Sequence, residues 1–180
     1  MRLKDYLDAD WRRLHEFAGM EMPRRTLLRM ASPRFAPVLL LRLAQCLHTN
    51  GWPRLAKLAS LANLVLFGLE VPTRLEIGAG LVLPHSQGTI LGAARIGSNV
   101  TIYQQVTLGA QLADFHYNPA LRPSVGAGVI ITAGAKVLGP VRLGDESIVG
   151  ANAVVLTDVP PGAVAVGVPA RIVERSQENS

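Results

Sequence analysis

Residues 125–155 read VGAGVIITAGAKVLGPVRLGDESIVGANAVV. An aliphatic residue stands at every sixth position: Val125, Ile131, Val137, Leu143, Val149 and Val155. Glycine often follows it (Gly126, Gly144, Gly150), and a small residue or valine takes the fifth place (Val129, Ala135, Val141, Ser147, Ala153). Strand alternation repeats every two residues and a helix every 3.6, so neither explains this spacing. A unit of one short strand and one tight turn does. Three units close a triangular coil, and the aliphatic residue points inward onto its copies in the coils above and below.

The same rhythm runs upstream. Val71, Ile77 and Leu83 keep it; after a slip of one residue, Ile90, Ile96, Ile102 and Leu108 resume it. The expected fold is therefore mainly β, a parallel β-helix over residues 69–173, with 174–180 as a tail. Residues 110–124, AQLADFHYNPALRPS, break the period and carry most of the polar and aromatic variety of this half. An insertion of that length in a rigid solenoid projects as a loop and is a common seat of binding function.

Residues 1–68 follow another period. Asp10 to Phe17 mix charge and apolar residues at helical spacing. Ala36 to His48 form a helix candidate, with Pro37 in the first turn and Asn50-Gly51 as the stop. Pro53 opens a further helix in which Leu55, Leu58, Leu61 and Val65 fall near one stripe, and Gly68 ends it. A helical cap over the exposed end of the first coil is the expected role. The surplus of Arg24, Arg25, Arg29, Arg34, Arg42, Arg54 and Lys57 among leucines also suits peripheral contact with an anionic membrane, and the two roles are compatible.

Composition narrows the classes. The 180 residues are 49% hydrophobic but only 5% aromatic, which suits repetitive aliphatic packing, and the net charge of +5 is a modest basic excess. The single cysteine, Cys46, rules out a disulfide within the chain, fits a cytoplasmic protein, and reads as a buried, inert thiol. The charged start MRLKDY leads into no signal core, and the uncharged run Leu58 to Leu69 is shorter than a membrane span. No nucleic-acid motif appears.

His85, in LPHSQG (83–88), is one of four histidines. On the residues alone it is a packed wall residue, a ligand or a base. No Cys pair and no further histidine at ligand spacing accompanies it, so no metal is expected, and a zinc-dependent β-helix hydratase has no site to assemble. A Ser86–His85 nucleophile pair is disfavoured because neighbouring β residues face opposite ways.

The segments LPHSQGTILG (83–92), IGSNVTIYQQVTLGA (96–110) and RPSVG…GVPARIV (122–173), and more loosely LEVPTRLEIGAGL (69–81), resemble the left-handed β-helix hexapeptide-repeat acyltransferases. Within them the chain looks most like the serine acetyltransferase branch and its relatives in polysaccharide clusters. The resemblance implies an acetyl-CoA-dependent O-acetyltransferase working as a homotrimer. His85 then matches the general base, and imidazole suits that work near neutral pH. Glu70, fifteen positions earlier, matches the acid that orients the ring, in a place where the family has aspartate. Gly109, Ala110, Ala133 and Ala151 match the corners along which acetyl-CoA lies, and Arg171 is a candidate for its phosphates. His116, in the loop, is a rival base or an acceptor contact.

The match weakens at the acceptor. Pro84 stands where serine enzymes carry the aspartate that holds the substrate's ammonium, and Leu121-Arg122 stand in place of Arg-His. Losing a charge-assisted hydrogen bond costs on the order of 1.5–3 kcal/mol. The expectation is therefore a sugar or glycan hydroxyl as acceptor, with free serine as the alternative and a non-catalytic scaffold as a further one. Tyr103 and Arg122 are expected to contact the acceptor, with Gln104, Gln105, Tyr117 and Asn118 as compositional candidates.

Overall fold

The structure is a computed structural model and describes residues 2–114 and 116–173; the tail expected at 174–180 lies outside the described residues. Four helices lead the chain: α1 (Leu3–Phe17), α2 (Leu27–Met30), α3 (Ala36–Thr49) and α4 (Pro53–Phe67). Short strands then wind into three parallel sheets, the faces of a triangular prism. The first face runs from Leu69–Glu70 through Thr89–Leu91, Thr107–Gly109 and Lys136–Leu138 to Val154–Val155. The second holds Glu76–Ile77, Arg95–Ile96, Ser124–Val125 and Arg142–Leu143. The third holds Thr101–Ile102, Ile130–Ile131, Ile148–Val149 and Val164–Val166, and is closed by the antiparallel Arg171–Val173.

The six-residue period becomes three buried columns. Leu91, Leu108, Val137 and Val155 stack in register on the first face. Ile77, Ile96, Val125 and Leu143 stack on the second, and Ile102, Ile131, Val149 and Ala165 on the third. Burying each such side chain is worth about 1.5–3 kcal/mol, and parallel strands share the backbone hydrogen bonds from coil to coil. At the corners the backbones come so close that a Cβ on Gly97 would lie 2.6 Å from the carbonyl carbon of Gly126. Glycine there is a packing requirement.

Two expectations need correction. The inward residue after Leu83 is Leu91; Ile90 points outward and is exposed, so the slip is two residues, not one. Cys46 is half-buried and within 3.4 Å of the Asn50 amide, not sealed in the core. The apolar stripe of α4, whose direction the sequence left open, faces away from the coil.

A β-helix must end somewhere, and its first coil has no preceding coil to satisfy its backbone. Asp10 of α1 and Arg42 of α3 fill that gap. Both are fully buried, paired through Nε to Oδ2 at 2.8 Å and Nη2 to Oδ1 at 3.1 Å. The guanidinium donates onward to the carbonyls of Ile77 at 2.8 Å and Gly78 at 2.6 Å. The carboxylate accepts the N–H groups of Gly80 at 2.8 Å and Leu81 at 2.9 Å. Tyr6 lies against the guanidinium, 4.5 Å from its ring centre, and the Gln45 amide donates to Leu75 O at 2.6 Å. Removing one partner leaves a buried charge with no counter-charge. Asp10→Ala and Arg42→Leu are each expected to lower unfolding stability by about 3–5 kcal/mol, and the double variant by less than their sum. Urea unfolding of the three variants checks this; additive losses would show that the pair is not coupled.

Candidate active site

The edge between the third and first faces is where His85 sits. Val82 bridges Thr101, and Ile90 pairs with Thr107. Eight positions thus turn this corner in the first coil and six in the next. The extra length falls in Pro84-His85-Ser86, since Leu83 remains buried and Gln87 O already accepts the Gln105 N–H at 3.0 Å. The result is a bulge that lifts His85 out of the wall into solvent. Ser86 anchors it: its buried hydroxyl donates to Phe67 O, the last residue of α4, at 3.0 Å. Gly88 completes the turn at φ +70°, and the Thr89 N–H bonds both Ser86 O and Gly68 O at 3.2 Å.

Along the same edge, coil by coil, follow Gln104, Ala133 and Ala151, linked by Gly134 N to Gln104 O at 3.0 Å and Asn152 N to Ala133 O at 2.9 Å. Tyr103 is here too, half-buried, with its ring 6.4 Å from that of Phe17 at the end of α1. The Gln104 Oε1 is buried and has no hydrogen-bond partner among the described residues. A buried amide oxygen in that state is a ready acceptor for a donor on a bound molecule.

Glu70 lies on the outer side of the first face, paired in register with Ile90. It is exposed, and no hydrogen bond or ion pair joins it to His85 among the described residues. The orienting contact implied by the family resemblance is thus not made in this single chain.

Gly109 and Ala110 lie at the other end of the first face, on its edge with the second. Gly109 stands apart among the 17 glycines: it has neither a left-handed φ nor any atom within 4 Å of where a Cβ would be. Backbone geometry and packing within the chain leave its missing side chain unexplained. Open space over a peptide is what a close-lying ligand arm needs. Arg171 is exposed on the final antiparallel strand and donates to the carbonyl of neighbouring Ala170 at 3.1 Å.

The loop at 110–124 folds back over this second edge. Arg122 is almost buried and reaches Asp114 Oδ2 through Nε at 3.1 Å and Nη2 at 2.9 Å, Asp114 O at 3.1 Å and Gly92 O at 3.0 Å. Tyr117 lies between two guanidinium groups, Arg122 at 3.9 Å and Arg74 at 5.5 Å from its ring centre, and donates to Ala93 O at 2.5 Å. Burial raises the Tyr117 pKa, and the two arginines offset part of that rise. His116 is exposed, with its backbone N–H held by Asp114 Oδ1 at 3.2 Å. Asp114 escaped the sequence reading; its only signal was a carboxylate eight residues before Arg122 in a loop otherwise short of acids. Burial raises its carboxyl pKa, but the bonds from Arg122, Asn118 N and His116 N, with the Arg122 charge, bring it below the ordinary aspartate value.

The sequence-expected residues therefore fall on two edges: His85, Tyr103, Ala133 and Ala151 on one, Gly109, Ala110, His116 and Arg122 on the other. Among the described residues no group of three or more His, Cys, Asp or Glu is placed to hold a metal.

A parallel β-helix of six-residue units with a histidine raised from one edge is the architecture expected of a hexapeptide-repeat acyltransferase. The chain matches no family model. It is 43% identical over 137 residues to the serine acetyltransferase of Mycobacterium tuberculosis, spanning 76% of this chain and 58% of that one. Against the serine acetyltransferase of Helicobacter pylori strain J99 it is 37% identical over 146 residues, 81% of this chain and 84% of that one. A solved serine acetyltransferase in complex with CoA superposes over 95% of this chain and 69% of its own, with a TM-score of 0.81 and 30% identity. The chain belongs to the serine acetyltransferase branch of the hexapeptide-repeat acyltransferases, and its coil is the left-handed β-helix of that family.

The lowered pKa of Asp114 carries a sign. A carboxyl depressed in the folded state stabilises the loop above the ordinary aspartate value and ceases to do so as pH falls through the depressed one. NMR titration of Asp114 is expected to give a midpoint below that of free aspartate, and Arg122→Ala is expected to raise it. An unshifted midpoint in the native chain would mean that the clasp does not form in solution.

Proposed function

We propose that this chain transfers an acetyl group from acetyl-CoA to a hydroxyl, with His85 as general base. The carrying observation is the two-residue bulge that raises His85 into solvent on the edge that also holds Ala133 and Ala151. Neutral imidazole takes the proton of the acceptor hydroxyl as its oxygen attacks the thioester carbonyl. The carbonyl carbon becomes tetrahedral, then collapses with expulsion of the CoA thiolate, which takes up the proton. Ala133 and Ala151 on the same edge and open Gly109 on the other suit a pantetheine arm lying against the backbone, with Arg171 toward the nucleotide phosphates. Glu70 takes up the second ring nitrogen once the site is closed. We assign the closing to a homotrimer, in which the His85 edge of one chain meets the loop edge of the next, and we place the reaction in the cytoplasm. Light scattering is expected to give a mass of three 19.3 kDa chains; a monomer at working concentration would overturn the assembly.

The acceptor with most support from the relatives is L-serine. A second reading, an uncharged hydroxyl such as that of a sugar, is favoured by one specific observation: Arg122, which by resemblance falls in the family's acceptor-binding segment, is already paired with Asp114. Pro84 beside His85 likewise offers no charge for an ammonium.

Release of CoA thiol separates the readings. Serine-dependent release, reduced roughly 10²–10⁴-fold in His85→Ala, supports serine. Release with hexoses or N-acetylhexosamines but not with serine supports the second reading. Glu70→Gln is expected to lower kcat, by up to about 10⁴-fold if the carboxylate sets the His85 tautomer, with little change in KM. If His85→Ala keeps full activity, the assignment of the base is wrong.

A further inference from the structure

Helix α4 is inside out. The side it turns to the protein holds Ala56 and Asn63, with Ser60 at the margin. The Asn63 amide donates to Pro37 O at 2.9 Å, and the Ser60 hydroxyl to Val71 O at 2.8 Å. Its large apolar side chains point away: Leu58 is 60% exposed, Leu61 54%, Val65 73% and Leu66 65%, and Trp52 just before the helix is 60% exposed. A surface helix normally buries its apolar stripe and wets its polar one. Here polar groups anchor the helix inward, and the stripe at positions 58, 61 and 65 is left for something outside the chain.

The charges indicate what covers it. Between Glu21 and Glu70 the sequence contains no Asp or Glu, yet it contains seven Arg or Lys. Arg54 and Lys57 lie exposed in the first turns of α4, and Arg24, Arg29 and Arg34 are exposed as well. None of these five forms an ion pair among the described residues. Arg54 continues the apolar stripe one turn toward the N-terminus, and Trp52 is the ring type that sits at a boundary between water and hydrocarbon.

We infer that α4 is a membrane-docking face, seating the chain on an anionic lipid bilayer with Leu58, Leu61 and Val65 in the acyl boundary and Arg54 and Lys57 among the headgroups. A second copy of the chain is the rival occupant. Two copies meeting α4 face to α4 face would bring like charges together, since residues 22–69 hold no carboxylate to offset them, whereas anionic headgroups supply the missing charge. The consequence for the site follows from Ser86: the bulge bearing His85 is bonded to the C-terminal end of α4, so docking sets the reactive corner close to the bilayer. The inference stands whichever hydroxyl His85 serves, because its readout is lipid binding.

The test is co-sedimentation of the full chain with vesicles of phosphatidylcholine alone or with phosphatidylglycerol added. Binding to the anionic vesicles, weakened by salt, is expected. Leu58→Glu/Val65→Glu should weaken it at least about tenfold, with CoA release and solution mass unchanged. Arg54→Gln/Lys57→Gln should remove the preference for anionic over neutral vesicles by about tenfold. Absence of binding by the native chain would overturn the proposal, as would full binding by the Leu58/Val65 variant. A fall in mass of that variant would assign the face to a second copy instead.

Discussion

A coil of parallel strands has an end-group problem, and the buried Asp10–Arg42 pair is this chain's solution to it. Every later coil receives its backbone partners from the one before. The first has none, and its carbonyls and amides at residues 77–81 would otherwise be stranded beneath the helices. An ion pair can serve both kinds of orphan at once, because the guanidinium donates and the carboxylate accepts. Burying two charges is costly, and the geometry offsets that cost only because each partner makes further bonds. The pair also fixes α1 and α3 on the coil. The positions of Phe17 against Tyr103 and of α4 against the His85 bulge depend on it in turn.

The β-helix was legible because its constraint is repetitive. A column residue such as Ile131 must be aliphatic and the next position small, and each coil restates that rule. The departures were legible only in part. The slip between Leu83 and the next inward residue was visible, but its length was not, because both Ile90 and Leu91 satisfy an aliphatic rule. Only pairing with Leu108 distinguishes them. That single position decides whether the corner is merely irregular or a bulge that raises a histidine.

The site was harder to read for a different reason. Most of the positions carried over by resemblance lie on edges, with Glu70 and Arg171 on strands instead, and a sequence does not say that the former are divided between two edges of one prism. Gly109 and His85 bracket the same face and do not meet within a chain. Nor does sequence say which charges are already occupied. Arg122 reads as a free cation for an acceptor, and Asp114 reads as an ordinary loop acid. Together they are a clasp that holds Tyr117 over the edge and leaves no net charge to offer.

Helix α4 carries the same lesson in reverse. Its stripe was legible but its direction was not, because periodicity gives the existence of an apolar face and not the side to which it turns. The residues that settle direction are the polar ones: Asn63 and Ser60 can bond the backbone of Pro37 and Val71 only if they point inward. Once they do, 100° per residue forces Leu58, Leu61 and Val65 outward. A cap built simply to shield the first coil would be expected to turn those residues the other way. Shielding therefore accounts for the presence of the helix but not for its orientation, which must answer to a surface outside the chain.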